Sequence, residues 1–322
     1  MKAAVYYETG PPDVLRYEDV PDPVCGPGDV LIDVEAVSIE GGDTLNRGSG
    51  EMSTSPHIVG YQCAGVIREV GAQVKDRAVG QRVVASLPFG SHAEIVSAPV
   101  LSTWTVPDTL DLQEAACVPV PFGTADDSLF EFGRLKAGES VLVQAGASGV
   151  GLAAVQLAKR AGATVFATAS SEEKLARLKE FGVDHGINYR ETDFVAEVQL
   201  LTDNRGVDLA LDTVGGPTLE GSIRSVGYRG RVVSIGNAGR KWQKLESGYL
   251  EQNNRSLTGY HMGVATFHDQ QRVHAMVAGH IEDVAKGSLR VVIDRRYPLS
   301  EAAAAHEYIE SRQAFGRVLL IP

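Results

Sequence analysis

The residues with the most evident chemical use are the glycines of Val141-Leu-Val-Gln-Ala-Gly-Ala-Ser-Gly-Val-Gly151. An apolar run, Val141 to Val143, ends in a turn carrying Gly146, Gly149 and Gly151. Val150, Ala154, Leu157, Ala158 and Ala161 then recur at helical spacing before Gly162 stops the helix. A strand, a tight turn and a helix in this order let the backbone approach a pyrophosphate, whose charge then sits among the unpaired N–H groups at the helix N-terminus. The same pattern also suits an ordinary strand-to-helix connection.

The next stretch separates these readings. Thr164-Val-Phe-Ala-Thr-Ala169 has the length of a second strand in a βαβ unit. Ser170 can cap the following helix, with Glu173 at the capping-box position and Gly182 ending it. A site for NAD places a carboxylate at the end of that strand to hold the ribose 2′-hydroxyl. Here the strand ends in Ala169, Ser170 and Ser171, with Lys174 one turn into the helix. With no carboxylate to repel a 2′-phosphate, the site reads as one for NADP(H). The opposing reading makes Ser170 a helix cap and Lys174 a solvated lysine. Glu172 and Glu173 count against a phosphate unless they serve only the helix dipole.

A turn of this kind needs a parallel sheet behind it. Five strand candidates, at residues 141–144, 164–169, 185–188, 207–211 and 231–235, alternate with helical segments, as parallel crossovers require. Before about residue 112 the chain is different, with short β-like runs at 3–7, 29–37, 65–70, 81–86 and 93–97. Gly10-Pro-Pro-Asp13, Pro21-Asp-Pro23 and Cys25-Gly-Pro-Gly28 interrupt them. The last stretch returns to β character at 289–293, forms a helix over 300–311 and ends in a strand at 317–321. No internal repeat or low-complexity segment is present.

With 322 residues the chain has room for two domains, and 43% apolar with 22% charged residues is the balance of a globular α/β protein. A net charge of −11 argues against nucleic acid or an anionic membrane as the main partner. Cys25, Cys63 and Cys117 lie far apart without a C-x-x-C pair, which suggests neither a disulfide framework nor a thiolate zinc site and fits a reducing compartment. Met1-Lys-Ala-Ala-Val-Tyr-Tyr7 enters a strand without a signal-peptide core, and no apolar segment reaches membrane-spanning length, so a cytoplasmic location is expected.

Taken in order, several motifs make the chain resemble, nearly end to end, the zinc-independent quinone oxidoreductases of the medium-chain dehydrogenase/reductase superfamily. They are Gly28-Asp-Val-Leu-Ile32, Gly42-Asp-Thr-Leu-Asn-Arg47, Gly60-Tyr-Gln-Cys-Ala-Gly65, Gly80-Gln-Arg-Val83 and the turn at 145–151. They continue with Ile187-Asn-Tyr-Arg190, Asp212-Thr-Val-Gly-Gly216, Ser234-Ile-Gly-Asn237, Glu310-Ser-Arg312 and Gly316-Arg-Val-Leu319. The resemblance implies an α/β chain with a GroES-like β-rich catalytic domain made of residues 1–118 and 260–322. A Rossmann domain, a doubly wound parallel sheet of residues 119–259, would bind NADP(H), with the active site in the cleft. It also implies a homodimer formed by pairing sheet edges.

The alcohol-dehydrogenase branch of the superfamily holds a catalytic zinc on Cys, His and Cys. Here Glu40, Tyr61 and Val120 stand at those positions, and Arg82-Val-Val-Ala-Ser86 passes to Leu87 without the cysteine-rich lobe of a structural zinc. His57, His92, His261, His268 and His274 show no ligand spacing backed by a carboxylate and read as structural or surface residues. No metal is expected.

Position by position, the resemblance places Thr124 near the nicotinamide, Tyr189 beside the 2′-phosphate with Ser170, Ser171 and Lys174, and Arg317 near the phosphates. Gly146, Ala147, Ser148, Gly149 and Val150 form the phosphate turn, and Val214, Gly236 and Asn237 lie on later cofactor-contacting loops. Structural readings stand beside these: Thr124 as a helix cap, Tyr189 as a core aromatic, Arg317 as a surface charge. In the substrate pocket the family's Asn-x-x-Asp-x-Tyr appears as Glu40-Gly-Gly-Asp-Thr-Leu45, which keeps Asp43 and loses the other two. Ala125-Asp-Asp-Ser128 departs from the family's apolar residues as well.

The implied reaction is hydride transfer from NADPH to a quinone or another α,β-unsaturated carbonyl, whose conjugation spreads the developing charge onto an oxygen without a metal. An enoyl-thioester reductase and a non-enzymatic NADPH-binding protein are the alternatives. Glu40, Asp43, Tyr61 and Thr124 are the candidate catalytic residues. Glu40 has two readings. Burial beside Asp43 would raise its pKa and make it a proton donor, whereas pairing with Arg47 or another cation would make it an ionised loop anchor.

Overall fold

The computed structural model describes all residues, Met1–Pro322. Two compact units divide the chain, one made of Met1–Gly123 with Gly263–Pro322 and the other of Thr124–Met262.

The first unit is built on a seven-stranded sheet. Its neighbours run Ile293–Pro298, Arg317–Ile321, Asp29–Ser38, Gln62–Val70, Arg82–Ser86 and Thr103–Thr105, and Ile95–Pro99 also pairs with Asp29–Ser38. Val30, Ile32, Val34 and Val37 from the central strand pack with Cys63, Ile67, Val83, Ala85, Val318 and Leu320. Arg317–Ile321 runs antiparallel to Asp29–Ser38, with Leu319 opposite Ser38. This register carries Arg317 past the end of the central strand, to the level of Glu40.

Residues 289–293 were expected as a strand, and the structure shifts that strand to Ile293–Pro298. Leu289 is buried without pairing, while the polar Asp294-Arg-Arg296 is extended because it lies parallel to Arg317–Ile321 at the sheet edge. Local hydrophobicity marked the core contact, and tertiary pairing decided the strand.

The second unit has six parallel strands in the order His185–Asn188, Thr164–Ala169, Ser140–Val143, Val207–Asp212, Val226–Ser234 and Ser256–Gly259. In chain order this is 3-2-1-4-5-6, the doubly wound dinucleotide-binding arrangement. Leu142, Phe166, Ile187, Ala210 and Val232 bring the strands into one core. Ser256–Gly259 was not anticipated, since a short edge strand with one apolar residue carries no pattern of its own. The helix after Thr164–Ala169 is capped by Ser171 and not by Ser170. Ser171 Oγ accepts from the N–H of Lys174 at 3.3 Å.

Thr124 lies inside the helix Pro119–Asp126 rather than at its start. The chain then widens into a π-helical turn, Asp127–Glu131, where the hydroxyl of Tyr260 donates to the buried Asp127 at 2.9 Å. No helix is long and apolar enough to cross a membrane.

Within the first unit, His92 and His306 are fully buried with their Nε2 atoms 3.0 Å apart. Burial pushes the His92 imidazole down from 6.5 to about 3. The unfolded chain therefore takes up this proton first, and stability contributed above pH 6.5 is lost as pH falls toward 3. The loss runs at about 1.4 kcal/mol per pH unit. In urea unfolding, His92→Gln is expected to be less stable than wild type at pH 7 but to lose about 1–2 kcal/mol less between pH 7 and 5. An equal loss in both proteins would contradict this.

Candidate functional site

In the parallel-sheet unit the glycine turn follows directly from the strand Ser140–Val143. Ala145 takes a left-handed φ of 53°, and a Cβ on Gly151 would fall 2.4 Å from the carbonyl oxygen of Ala145. The turn is therefore too tight for any side chain at 151. Ser148 caps the helix Gly149–Arg160 by accepting from the N–H of Gly151 at 3.0 Å. The N–H groups of Gly149 and Val150 lie in the first turn and have no intrahelical carbonyl to bond. Ala147 is buried and Ser148 half-buried.

A hydrogen-bond chain that the sequence reading missed fixes this turn to its neighbour. The Ala145 N–H donates to Thr168 Oγ1 at 3.1 Å, and Thr168 donates to Gln144 Oε1 at 2.7 Å. Gln144 Nε2 donates to Ser222 Oγ at 3.1 Å, and Ser222 donates to Asp212 Oδ2 at 2.7 Å. Asp212 Oδ1 accepts from the N–H groups of Val214 and Gly215 at 2.9 and 2.7 Å. Burial pushes the Asp212 carboxyl up, and these donors oppose it. The polar residues at the carboxyl ends of three apolar strands were the available signal.

Tyr189 is 40% exposed, and its N–H donates to the carbonyl of Ala169 at 3.2 Å. That bond gathers Tyr189, Ser170 and Ser171 at one strand end, with Lys174 a turn away. On the loop after Val226–Ser234, Gly236 is exposed, and Asn237 Oδ1 is buried without a hydrogen-bond partner. A Cβ on Gly215 would lie 2.6 Å from that oxygen. An open helix N-terminus, a strand end without a carboxylate and an unsatisfied amide oxygen together fit a dinucleotide bearing a 2′-phosphate. Thr124 belongs to this unit, is 5% exposed and directs its hydroxyl at Met262 Sδ, 3.7 Å away.

The other candidate residues meet in the first unit. Glu40 follows the strand Asp29–Ser38 and precedes the helix Gly41–Ser49, and its N–H donates to Asp43 Oδ2 at 2.7 Å. Its carboxylate accepts from Arg317 Nη1 at 3.1 Å, from Arg317 Nη2 and from Gln62 Nε2. Gln62 Oε1 accepts from the N–H of Val120 at 3.0 Å. Arg317 Nε also donates to Ser38 Oγ at 3.0 Å, and Nη2 to the carbonyl of Ile39 at 2.6 Å. Glu40 is 5% and Arg317 7% exposed.

Burial raises the Glu40 carboxyl, and the Arg317 guanidinium pulls the other way. Three donors and no acceptor face Glu40, the surroundings of an ionised carboxylate. Of the two readings of Glu40, the geometry favours the anchor over the proton donor. Its cation is Arg317, because Arg47 pairs instead with Glu310 and with the carbonyl of Gly10 at 2.8 Å. For Arg317 this replaces a position at the cofactor phosphates, since its guanidinium is taken up by Glu40, Ser38 and Ile39. An arginine inside the apolar strand Arg317-Val-Leu-Leu-Ile321 was the signal that a buried anion lay nearby.

Asp43 is fully buried, and burial pushes its carboxyl well above the usual range. Tyr61 is half-buried, and Asn46 Nδ2 donates to its hydroxyl at 2.7 Å. Glu40, Tyr61 and Val120 are the positions that the resemblance sets against the zinc ligands of the alcohol-dehydrogenase branch. Glu40 and Val120 are tied together through Gln62. No three His, Cys, Asp or Glu side chains converge anywhere in the chain.

Family models for a zinc-binding dehydrogenase and for an alcohol dehydrogenase GroES-like domain match residues 149–279 and 26–108. A 2-haloacrylate reductase of Burkholderia sp is 32% identical over 330 residues, covering 99% of this chain and 98% of that protein. The quinone oxidoreductase of Rattus norvegicus is 31% identical over 331 residues, covering 100% and 98%. The crystal structure of Escherichia coli quinone oxidoreductase complexed with NADPH matches with a TM-score of 0.96 at 27% identity, covering 100% of both chains.

Proposed function

Since the chain belongs to the quinone oxidoreductase family of medium-chain dehydrogenases/reductases, we propose that it reduces quinones or other α,β-unsaturated carbonyls with NADPH and without a catalytic metal. It is an NADPH-dependent oxidoreductase. The observation that supports the metal-free reading is the Arg317–Glu40–Gln62–Val120 network, which engages in hydrogen bonds two of the three positions that the resemblance sets against zinc ligands, Glu40 and Val120. A zinc site needs three protein ligands and an open position to polarise an isolated carbonyl. A conjugated acceptor does not need one, because its charge spreads to an oxygen that a hydrogen bond can meet.

When bound, NADPH supplies hydride from nicotinamide C4. The chain's own residues hold and orient it. The N–H groups of Gly149 and Val150 at the turn would face its pyrophosphate, with Ser148 capping the helix, and Ser170, Ser171, Lys174 and Tyr189 would take the 2′-phosphate. Asn237 would offer its unsatisfied oxygen to a donor of the cofactor, and Thr124 would line the nicotinamide. A relative named for reducing a 2-haloacrylate supports including electron-poor alkenes among the acceptors.

Menadione, 2-cyclohexen-1-one, 2-chloroacrylate and crotonyl-coenzyme A, offered with NADPH before and after exhaustive chelation, test this reading. Oxidation of NADPH by a quinone or enone, unchanged by chelation, is the expected result. Turnover of the thioester alone, or activity lost on chelation and restored by zinc, would overturn it.

A further inference from the structure

We propose that Tyr61 donates the hydrogen bond that meets negative charge on the substrate's carbonyl oxygen, and that Gly42 and Asn46 hold its phenol in place. This rests on the hydride-transfer reading above and names the residue that completes it.

Tyr61 Oη accepts the Asn46 amide N–H at 2.7 Å, so one lone pair of the hydroxyl is occupied and its own O–H must turn elsewhere. No acceptor in the protein takes that proton. The side chain is half-buried, so the ring is partly shielded from water without being sealed in the core. Such a donor is worth more in a shielded site than in bulk solvent.

The seat beneath the ring is specific. A Cβ on Gly42 would lie 2.4 Å from Tyr61 Cε2 and 2.8 Å from its hydroxyl oxygen, so only glycine admits the phenol at this distance. Gly42 is in the first turn of Gly41–Ser49, where glycine is a poor helix former. Its presence is explained by the ring. Asn46 is four residues further on and therefore on the same helix face. One position makes room for the ring and the next turn fixes its hydroxyl.

The surrounding charge suits an oxyanion. Glu40 is balanced by Arg317, and burial raises the Asp43 carboxyl. Burial, with Asp43 close by, likewise raises Tyr61, which remains a protonated donor. In the reaction the acceptor gains hydride at its β-carbon, and the C=C electron pair shifts toward the carbonyl. Its oxygen gains the charge that Tyr61 meets, and water provides the completing proton. NADPH is the two-electron donor.

Tyr61→Phe keeps the ring on Gly42 and removes the donor. Asn46→Ala leaves the phenol without its orienting amide. In stopped flow with menadione at saturating NADPH, Tyr61→Phe is expected to slow hydride transfer about 10²-fold and Asn46→Ala about 10-fold, with NADPH affinity unchanged in both. The double variant should be no slower than Tyr61→Phe, because Asn46 acts through Tyr61. The oxyanion mimic 4-nitrophenolate, titrated into the NADP⁺ complex, should bind about 10-fold more weakly to both single variants. Wild-type rates and nitrophenolate affinity in Tyr61→Phe would overturn the assignment to Tyr61, and losses that multiply in the double variant would overturn the positioning role of Asn46. A wild-type protein that binds NADPH but reduces none of the four acceptors would instead overturn the function on which the proposal rests.

Discussion

Arg317→Met is expected to destabilise the protein by about 3–5 kcal/mol, the usual cost of leaving a buried charge without its partner. Arg317 supplies two of the three side-chain donors on Glu40, and both residues are almost completely buried. Without the guanidinium, burial alone acts on the carboxyl, and Glu40 must be protonated to remain in the folded protein. Its folded pKa would then lie above the unfolded value. Stability is in that case retained at low pH and lost as pH rises, by about 1.4 kcal/mol per unit. The deficit of Arg317→Met relative to wild type should therefore shrink between pH 8 and pH 5. Adding Glu40→Gln should recover a large part of it, since the neutral amide still reaches Gln62. Urea unfolding of the three variants measures this. A loss under 1 kcal/mol, or a double variant no more stable than Arg317→Met, would show that the ion pair does not hold the site.

Lys174→Ala is expected to weaken NADPH binding about 10- to 100-fold, because a charge-assisted contact to phosphate contributes roughly 1.5–3 kcal/mol. NADH should bind nearly as before. The expectation follows from the end of Thr164–Ala169, where no carboxylate competes with a 2′-phosphate and the Tyr189 N–H closes on the carbonyl of Ala169. The substitution leaves the helix intact, since Ser171 caps it through the backbone N–H of residue 174. Fluorescence titration with the two cofactors separates the roles. Equal losses for NADPH and NADH would mean that Lys174 serves the protein's structure and not the 2′-phosphate.

Much of the nucleotide-binding unit was legible because its signals are local. The apolar run, the glycine turn and the 3.6-residue repeat after it lie within 22 residues, from Val141 to Gly162, and neighbouring residues settle them. Ser171 in place of Ser170 as the cap is a one-residue shift of the sort that cap preferences alone do not decide, as both positions hold serine. What stayed hidden depends on distant partners. Ser256–Gly259 and Ile293–Pro298 are strands only because another strand offers its edge.

The same holds for the first-unit cluster. Glu40 and Arg317 are 277 positions apart, and no periodicity links them. The resemblance set Arg317 near the cofactor phosphates, whereas its guanidinium is held by Glu40. Tyr61 was visible as a departure from a family pattern, and Gly42 as part of a motif that carries the resemblance. Their common cause, an aromatic ring resting on an α-carbon, exists only once helix and strand are packed.

The central claim is that this chain moves hydride from NADPH to a conjugated acceptor using no metal. It is tested most directly by single-turnover mixing of chelator-treated protein, loaded with NADPH carrying deuterium at C4, against menadione and 2-cyclohexen-1-one. The account predicts loss of the nicotinamide absorbance within the mixing record, slower than with unlabelled NADPH, and deuterium at the β-carbon of the reduced enone. Tight NADPH binding with no loss of absorbance for either acceptor, or a reduced enone without deuterium, would contradict it.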